Sequence, residues 1–291
     1  MAKVGSIRKA AEQLAITSTA LNRQILAMEE ELGVPIFDRL STGVRLSTAG
    51  ELLVHHARKQ IADLARVRSQ IADLAGERRG HVSIVCGQAM MDTFMPDMIR
   101  QYRATHPGVS FEVRVCNRSD YQAALNNYSA DIALVFEPIM DTDFQRVIDV
   151  PQRLHALFEA PHELQQQEKL QLRDCIAYPL ALPTRQNSIR HIIENTATRI
   201  QQKLDVVIES DNHSLLRQCL ANHNTLGFQI SIGLPKQHSK RKLLSVPITE
   251  CDFTAGRLYA GQRKGRTLPV AAARFLEQVC QSLEVQYQHE Q

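Results

Sequence analysis

The stretch GSIRKAAEQL-AIT-STALNRQILAMEEEL, residues 5–32, decides the fold of the N-terminal part of the chain. Apolar residues recur with helical spacing at 7, 10, 11 and 14, and again at 21, 25, 28 and 32. A short turn joins the two helices. Thr17 or Ser18 is placed to cap the second helix, because a hydroxyl there can accept from free N–H groups of its first turn. The pattern predicts a helix-turn-helix whose second helix is sized for a DNA major groove.

This stretch and the residues after it form a recognisable pattern without a gap. It comprises Ala10-Ala11 to Leu14, Ala20 to Ile25, Met28-Glu29, Leu32-Gly33-Val34, Ile36 to Arg39 and Leu46 to Gly50. Over more than 40 residues the sequence resembles the DNA-binding region of LysR-type transcriptional regulators. The resemblance implies a sequence-specific DNA-binding regulator controlled by a small-molecule effector. Asn22 departs from the family pattern, which usually has Ser at that position.

The N-terminus departs more seriously from the family pattern. The family has a full amphipathic helix before the Gly5-Ser6 pair, and here four residues precede that pair. A helix-turn-helix needs a third helix to cover its apolar back. Either the true start lies upstream, or this is a short form with a weakened head, in effect an effector-binding sensor module without DNA-binding activity. Without the helix we expect partial exposure of five residues: Val4, Ile7, Ala11, Leu21 and Ile25.

The second helix carries the residues expected to read DNA bases. Side-chain direction and the N-terminal approach to base edges favour Ser18, Thr19, Asn22 and Arg23. Asn can form a paired contact with adenine and Arg with guanine, while a Thr methyl can touch the thymine methyl.

Other residues are expected to hold the DNA backbone. By the family resemblance, Thr17 and Arg39 contact phosphates, which fix register but carry little sequence information. A wing from Arg39 to Leu46, turning at residues 41–43, would bring Arg45 to the minor groove or backbone. For Arg39 the alternative is a salt bridge to Glu29-Glu30-Glu31.

The charge distribution agrees with this placement. Residues 1–80 contain 12 Lys and Arg against 9 Asp and Glu, whereas residues 81–291 contain 22 of each. The whole net charge of +3 therefore lies where phosphate contacts would need it. For Lys3 and Lys9 individually, a solvated basic face is the favoured interpretation.

A long amphipathic helix is predicted from Thr48 to about Ala75. Such a helix outside a globular core usually pairs with a partner helix, and in the family this linker dimerises the heads. The alternative is a helix packed on its own domain. Residues 76–80 would form a hinge. The apolar stripe consists of Leu53, Ala57, Ile61, Leu64, Ile71 and Leu74.

The remainder alternates strands and helices, which predicts an α/β fold with parallel sheets covered by helices. Two such lobes joined by two crossings resemble type 2 periplasmic binding proteins, as the LysR effector domain does. The predicted domains are a winged helix-turn-helix (1–47), a linker and hinge (48–80) and an effector domain (81–291). Lobe 1 would comprise 81–137 and 263–291, and lobe 2 138–262, although residues 257–262 read as a strand returning to lobe 1.

Parallel-sheet lobes bind ligands where strands end and helices begin. An Arg guanidinium group and a helix N-terminus could bind an anion there. Gln88 and Ala89 stand where the family commonly offers a hydroxyl to the effector. His213 is expected to be a structural hydrogen-bonding residue rather than a titrating sensor. For each site residue, the alternative is a solvated loop group or helix cap. The candidate effector residues are Gln88, Ala89, Arg118, Ser119, Arg185, Asn187, Ser188, Asn212, His213 and Gln229.

Other classes of protein find little support in the sequence. There is no run of 18 apolar residues, no secretory signal and no motif of the common enzyme classes. We therefore expect a cytoplasmic, non-enzymatic homotetramer without metal or cofactor, binding promoter DNA and a small effector. A solute-binding protein would need a signal peptide and no helix-turn-helix. The six cysteines are expected to be reduced thiols, with Cys219 and Cys251 as the alternative redox pair.

Overall fold

The computed structural model describes residues 1–2, 4–41, 43–74, 79–220, 224–235, 243–249 and 256–287. These residues form two compact units, Met1–Ala65 and Arg66–Gln291. One long helix, α3, belongs to both units, because it spans Thr48–Leu74. Each unit is described by itself below.

The first unit contains the predicted helix-turn-helix. Its elements are α1 (Ile7–Gln13), α2 (Ser18–Leu32), β1 (Phe37–Leu40), β2 (Gly43–Leu46) and the first part of α3. Thr17 is the cap of α2, since its hydroxyl accepts from the N–H of Ala20 at 3.1 Å. Gly33 ends the helix in the left-handed conformation, with φ of 69°.

The small core of this unit corrects one expectation. Ala11 and Leu21 are buried, with 1% and 8% of their surface exposed, so the prediction of their exposure is wrong. The reason is that α1 and α2 pack face to face, and Met1 adds to the cluster that these residues form. Val4, Ile7 and Ile25 are half-buried.

The start of α3 is fixed by short contacts with the segment before the wing. Ser47 donates its hydroxyl to the carbonyl of Pro35 at 2.6 Å and accepts from the N–H of Gly50 at 3.0 Å. A Cβ at Gly50 would lie 2.0 Å from the carbonyl oxygen of Ile36, so only glycine allows this approach. The Glu29 carboxylate accepts from Ile36 N at 2.7 Å and Phe37 N at 3.1 Å. The wing is thereby tied to both α2 and α3.

The second unit is built on two five-stranded sheets, each belonging to one lobe. The sheet of lobe 1 has the order β4-β3-β5-β12-β6, and that of lobe 2 has the order β11-β7-β10-β8-β9. The strands are β3 (Arg79–Cys86), β4 (Gly108–Val115), β5 (Ile132–Phe136), β6 (Phe144–Gln152), β7 (Leu154–Glu159), β8 (Leu180–Leu182), β9 (Val206–Glu209), β10 (Leu226–Ile230), β11 (Leu243–Pro247) and β12 (Gly256–Arg263).

Six helices accompany these sheets in the described part of the unit. They are α4 (Phe94–Thr105), α5 (Tyr121–Asn126), α6 (Leu172–Ile176), α7 (Ser188–Arg199), α8 (His213–Cys219) and α9 (Val270–Tyr287). Helix α7 ends at Arg199, because Gln201 shortly after it adopts a left-handed φ of 55°. Helix α9 packs on lobe 1, where Tyr102 donates to the carbonyl of Ala271 at 3.1 Å.

Two expectations about the sheets need correction. The sheets are mixed, since β12 pairs antiparallel with β5 and β6, and β7 pairs antiparallel with β10 and β11. The division of the lobes at residues 138 and 262 is wrong for β6 and β12, because both strands hydrogen-bond within the sheet of lobe 1. The return of residues 257–262 to lobe 1 as a strand is confirmed. The chain enters lobe 2 only between Gln152 and Leu154. The predicted hinge residues 76–78 lie outside the described residues, and 79–80 already belong to β3.

Candidate DNA-facing surface and effector cleft

The N-terminal half of α2 presents the predicted base-reading residues to solvent. Ser18, Thr19 and Arg23 are exposed, as is the capping Thr17, and Asn22 is half-buried. An exposed polar first turn leaves both side chains and helix N–H groups accessible to a groove.

The wing contacts this helix directly. Arg39 donates from Nη2 to Oδ1 of Asn22 at 3.4 Å. In the described part of the chain this is the side-chain partner found for Arg39, rather than the predicted alternative at residues 29–31. Arg45 is exposed and forms an ion pair with Asp38 at 3.0 Å across the wing. Thr42, in the predicted wing turn, lies outside the described residues.

The apolar stripe of α3 is largely uncovered in the single chain. Ile61 is 68% exposed, Leu64 51%, Ile71 61% and Leu74 89%. A stripe packed on its own domain would be buried, so the alternative interpretation does not fit these four residues. Exposed apolar area at this spacing is typical of a surface that pairs with another helix.

A cleft of about 660 Å³ lies between the two lobes of the second unit. Strand ends of lobe 1 and helix starts of lobe 2 face each other across it, as predicted. Of the expected effector residues, it brings together Gln88, Arg185, Asn187 and Asn212. The remaining lining residues are Val115, Cys116, Asn117, Thr184, Gln186, Glu209 and Asp211.

A pocket of about 30 Å³ adjoins the cleft and shares Gln88, Cys116, Asn117 and Asn187 with it. This volume admits a group about the size of a water molecule or a carboxylate. Besides the shared Gln88 and Asn187, four expected residues line this inner pocket: Ala89, Arg118, Ser188 and His213. Ser119 and Gln229 line neither space.

Arg118 is the charged residue of the inner pocket. Its Nε atom is buried and has no hydrogen-bond partner among the described residues. No carboxylate among the described residues lines the pocket with it. A buried guanidinium nitrogen without a partner is costly, and an anionic group in the pocket would satisfy it. The first turn of the 12-residue helix α7, with Ser188 and Ile189, forms another part of the wall.

Ser188 holds the two lobes together at the inner pocket. Its hydroxyl donates to the carbonyl of Phe136, at the end of β5, at 2.6 Å, and the residue is buried. The hydroxyl is therefore already occupied by lobe 1. Two further contacts cross the cleft: Asn117 donates to Gln186 at 3.2 Å, and Arg217 pairs with Asp92 at 2.6 Å.

His213 is buried between two amides. Its Nε2 lies 3.3 Å from Nδ2 of Asn187, and its Nδ1 lies 3.1 Å from Nε2 of Gln229. Burial, followed by the charge of Arg217, lowers the pKa of His213 to about 4. The ring is therefore neutral at pH 7, in agreement with the expected structural role. The Gln229 side chain is itself held in place, because its Oε1 accepts from Ile230 N at 3.0 Å.

Helix caps account for several other expected residues. Asn187 caps α7 by accepting from Ile189 N at 2.9 Å, and Asn212 caps α8 by accepting from Leu215 N at 3.0 Å. Ser119 donates to Asp120 at 2.9 Å on the surface. Arg185 is mostly exposed and lies 3.5 Å from Glu194. The capping residues still line the cleft, so capping and ligand contact are compatible for them.

Sequence reasoning missed the acidic residues of the cleft. Glu209 ends β9 and Asp211 stands just before α8, so their position after a strand was the available signal. Cys116 was missed as well. Burial raises the pKa of its thiol to about 12, which leaves it protonated at neutral pH. Cys251, of the suggested redox pair, lies outside the described residues.

The described residues form neither a metal site nor a membrane span. They contain no group of three or more His, Cys, Asp or Glu placed to hold a metal ion. None of their helices combines the length and apolar character that crossing a membrane requires.

Comparison with protein families matches both units. Residues 1–51 match the bacterial regulatory helix-turn-helix protein, lysR family. Residues 75–284 match the LysR substrate binding domain. A DNA-reading helix-turn-helix followed by a two-lobe ligand cleft defines a ligand-responsive transcriptional regulator. The chain belongs to the LysR family of these regulators.

Individual relatives are distant but extend over most of the chain. The transcriptional activator CmpR of Synechocystis sp. is 23% identical, over 79% of this chain and 75% of its own length. The RuBisCO operon transcriptional regulator of Allochromatium vinosum is 21% identical, over 95% and 91%.

Solved structures show the same fold. A full-length OxyR variant from Pseudomonas aeruginosa has a TM-score of 0.69 at 16% identity, covering 97% of this chain and 90% of that one. Full-length CbnR complexed with its target DNA has a TM-score of 0.63 at 15% identity, covering 97% and 96%.

Proposed function

We propose that this regulator binds a pseudo-palindromic DNA site as a dimer or a dimer of dimers. Its contacts with the DNA change when a small carboxylate enters the interlobe cleft. The observation that carries the effector part is the buried, unpartnered Nε of Arg118 at the inner end of the cleft. The proposed activity is binding without catalysis, in the cytoplasm, where the DNA is.

On the DNA side, the Arg39–Asn22 hydrogen bond suggests an order of contacts. Asn22 needs both amide atoms to pair with adenine, and Oδ1 is occupied by Arg39 at 3.4 Å. Binding would exchange this long, exposed hydrogen bond for the base contact and release Arg39 to a phosphate. Arg23 is exposed and free to reach guanine, while Ser18 and Thr19 touch neighbouring bases. Thr17 and Arg45 hold backbone phosphates at either end of the surface.

The linker helix supplies the dimer contact in this proposal. The exposed stripe along α3, with Ile61 and Leu64 at its centre, would be covered by the same stripe of a second copy. A two-fold pair of heads reads two half-sites, so the symmetry of the protein would appear in the DNA.

Effector control follows from the two-lobe construction. A ligand that contacts Arg118 from lobe 1 and the segment from Arg185 to Ser188 from lobe 2 favours lobe closure. Asn187, Asn212 and Gln88 would complete the contacts with the ligand. His213 contacts Asn187, and Gln229 contacts His213, so both would hold Asn187 in place. Closure within a symmetric oligomer alters the spacing of the heads and thereby the bending of the DNA.

Site selection from a random duplex DNA pool, using the full chain, tests the proposal. We expect enrichment of a site with two-fold symmetry, bound in mobility-shift assays by an oligomer. Selection of no sequence above background would contradict the DNA-reading surface. Enrichment of an unsymmetrical site by a monomer would contradict the role given to α3.

A further inference from the structure

The charges of the interlobe cleft are separated along its depth, and this separation restricts the chemistry of the effector. The inner pocket carries Arg118 without a compensating carboxylate among its lining residues. The outer cleft carries Glu209 and Asp211, with Arg185 as the one cation among its described lining residues. The two ends of the space therefore differ in sign.

Ion pairs on lobe 2 show which outer charges are compensated. Arg190 lies 2.8 Å from Glu194 and 3.4 Å from Glu209, and Arg185 lies 3.5 Å from Glu194. Two arginines thus balance two glutamates. Asp211 is exposed, and no ion pair or hydrogen bond is found for its carboxylate in the described part of the chain. Its negative charge remains uncompensated at the rim.

The volume of the inner pocket and the amide side chains between the two ends agree with a ligand that carries different charges at its ends. The inner pocket of about 30 Å³ is small, which suits a compact group such as a carboxylate better than a ring. The wall between Arg118 and Asp211 is rich in side-chain amides, from Gln88, Asn117, Gln186, Asn187 and Asn212. Amides can donate to or accept from a polar chain without favouring either charge.

We infer that the effector is a carboxylate whose opposite end carries a cationic group, such as an ω-amino acid. Its carboxylate binds Arg118 and the start of α7, and its ammonium faces Asp211. The inference rests on the proposed function, because it concerns the effector of the same cleft. A dicarboxylate would bring its second anionic group to Asp211 and be repelled, and a diamine would bring a cation to Arg118.

The test is calorimetry on the full chain with three matched ligand series of four, five and six carbons. Each length compares the ω-amino acid with the dicarboxylate and the diamine, for example 5-aminopentanoate with glutarate and cadaverine. We expect the ω-amino acid to bind at least tenfold more tightly than both counterparts at one length or more. Asp211→Asn should reduce that preference over the dicarboxylate below threefold, and Arg118→Gln should weaken the ω-amino acid at least tenfold.

Two matched variants provide the controls. Asp205→Asn and Arg199→Gln remove exposed charges of lobe 2 that do not line the cleft, and both should keep wild-type affinity and preference. Tighter binding of the dicarboxylates at every length, or an unchanged preference in Asp211→Asn, overturns the inference and leaves the proposed carboxylate effector intact. Absence of binding by all nine compounds at 20 mM overturns both the inference and the proposed carboxylate site.

Discussion

At the scale of single residues, the DNA-facing surface depends on the side chains near the start of α2. Arg23 is exposed and lies one residue from Asn22, which already contacts the wing through Arg39. This places a guanidinium on the accessible face of the helix while its neighbour links helix and wing. The base-reading role of Arg23 stays a prediction until it is measured.

Arg23→Ala should abolish discrimination of the selected site from unrelated DNA. One good bidentate base contact contributes about 1–3 kcal/mol, which corresponds to roughly 5- to 150-fold per half-site. Mobility shifts at matched salt measure it, with Lys9→Ala on α1 as the control that removes a charge away from the reading face. Wild-type discrimination in Arg23→Ala would show that the residue contacts phosphate or solvent.

Ser188→Ala should destabilise the second unit, because it leaves the buried carbonyl of Phe136 without the donor now at 2.6 Å. An unsatisfied buried acceptor costs about 1–3 kcal/mol. Urea unfolding of the full chain would measure the loss. Thr198→Ala, which removes an exposed hydroxyl donating to Glu194 O at 2.8 Å, should cost less than about 0.5 kcal/mol. Equal losses in the two variants would contradict the role given to the Phe136 contact.

The buried His213 and the half-buried His155 predict how stability depends on pH. Burial, with Arg217, lowers the pKa of His213 to about 4, and burial, with Arg153, lowers that of His155 to about 4. Below the usual value of about 6.5, the unfolded chain binds these protons and the folded chain does not. The contribution of these two neutral rings to the free energy of unfolding is therefore present above pH 6.5. It is lost as the pH falls toward 4, by about 1.4 kcal/mol per pH unit for each residue.

Unfolding free energies measured from pH 7 to pH 4.5 should accordingly decrease more gently in His213→Gln and in His155→Gln than in the wild type. The variant with both substitutions should show a weaker dependence of the unfolding free energy on pH than either single variant. A slope in the double variant equal to that of the wild type would mean that both rings bind protons in the folded state.

At the scale of secondary-structure elements, the sequence predicts most helices and strands because their apolar periodicity is local. A continuous apolar run marks the strand Leu226–Ile230, and an Asn cap marks the start of α7 at Ser188, so both features are visible in the sequence. β8 is only three residues long and carries too little pattern to be recognised. The lobe assignment of β6 depends on its pairing with residues more than 100 positions away, which periodicity does not contain.

The linker helix gives a prediction at this scale. Ile61→Asp should convert the oligomer to a monomer with weak DNA affinity, because a carboxylate on a seam between two helices would be buried without a partner. Sedimentation velocity measures the change. Lys59→Asp, on the opposite side of α3, introduces the same side chain and should leave the oligomer intact. An unchanged oligomer in Ile61→Asp would mean that the stripe is not the seam.

At the scale of the whole molecule, the sequence predicts where the candidate cleft lies but not which of its charged residues are paired. Arg118 and Asn212 could be located from strand ends and helix starts. The pairing of Arg185 with Glu194 and of Ser188 with Phe136 depends on how the lobes fold and meet. Among the described residues that line the cleft and its inner pocket, those contacts leave Arg118 and Asp211 without an ion pair, which the three-dimensional arrangement reveals.

The central claim is that occupation of the cleft changes the DNA complex. It is tested most directly by energy transfer between dyes at the two ends of a duplex carrying the selected site, bound by the full chain. Adding the ω-amino acid with the highest affinity should change the end-to-end distance for the wild type and not for Arg118→Gln, at concentrations that saturate the wild type. An unchanged distance for the wild type at saturation, with the ligand shown to be bound, would contradict the account.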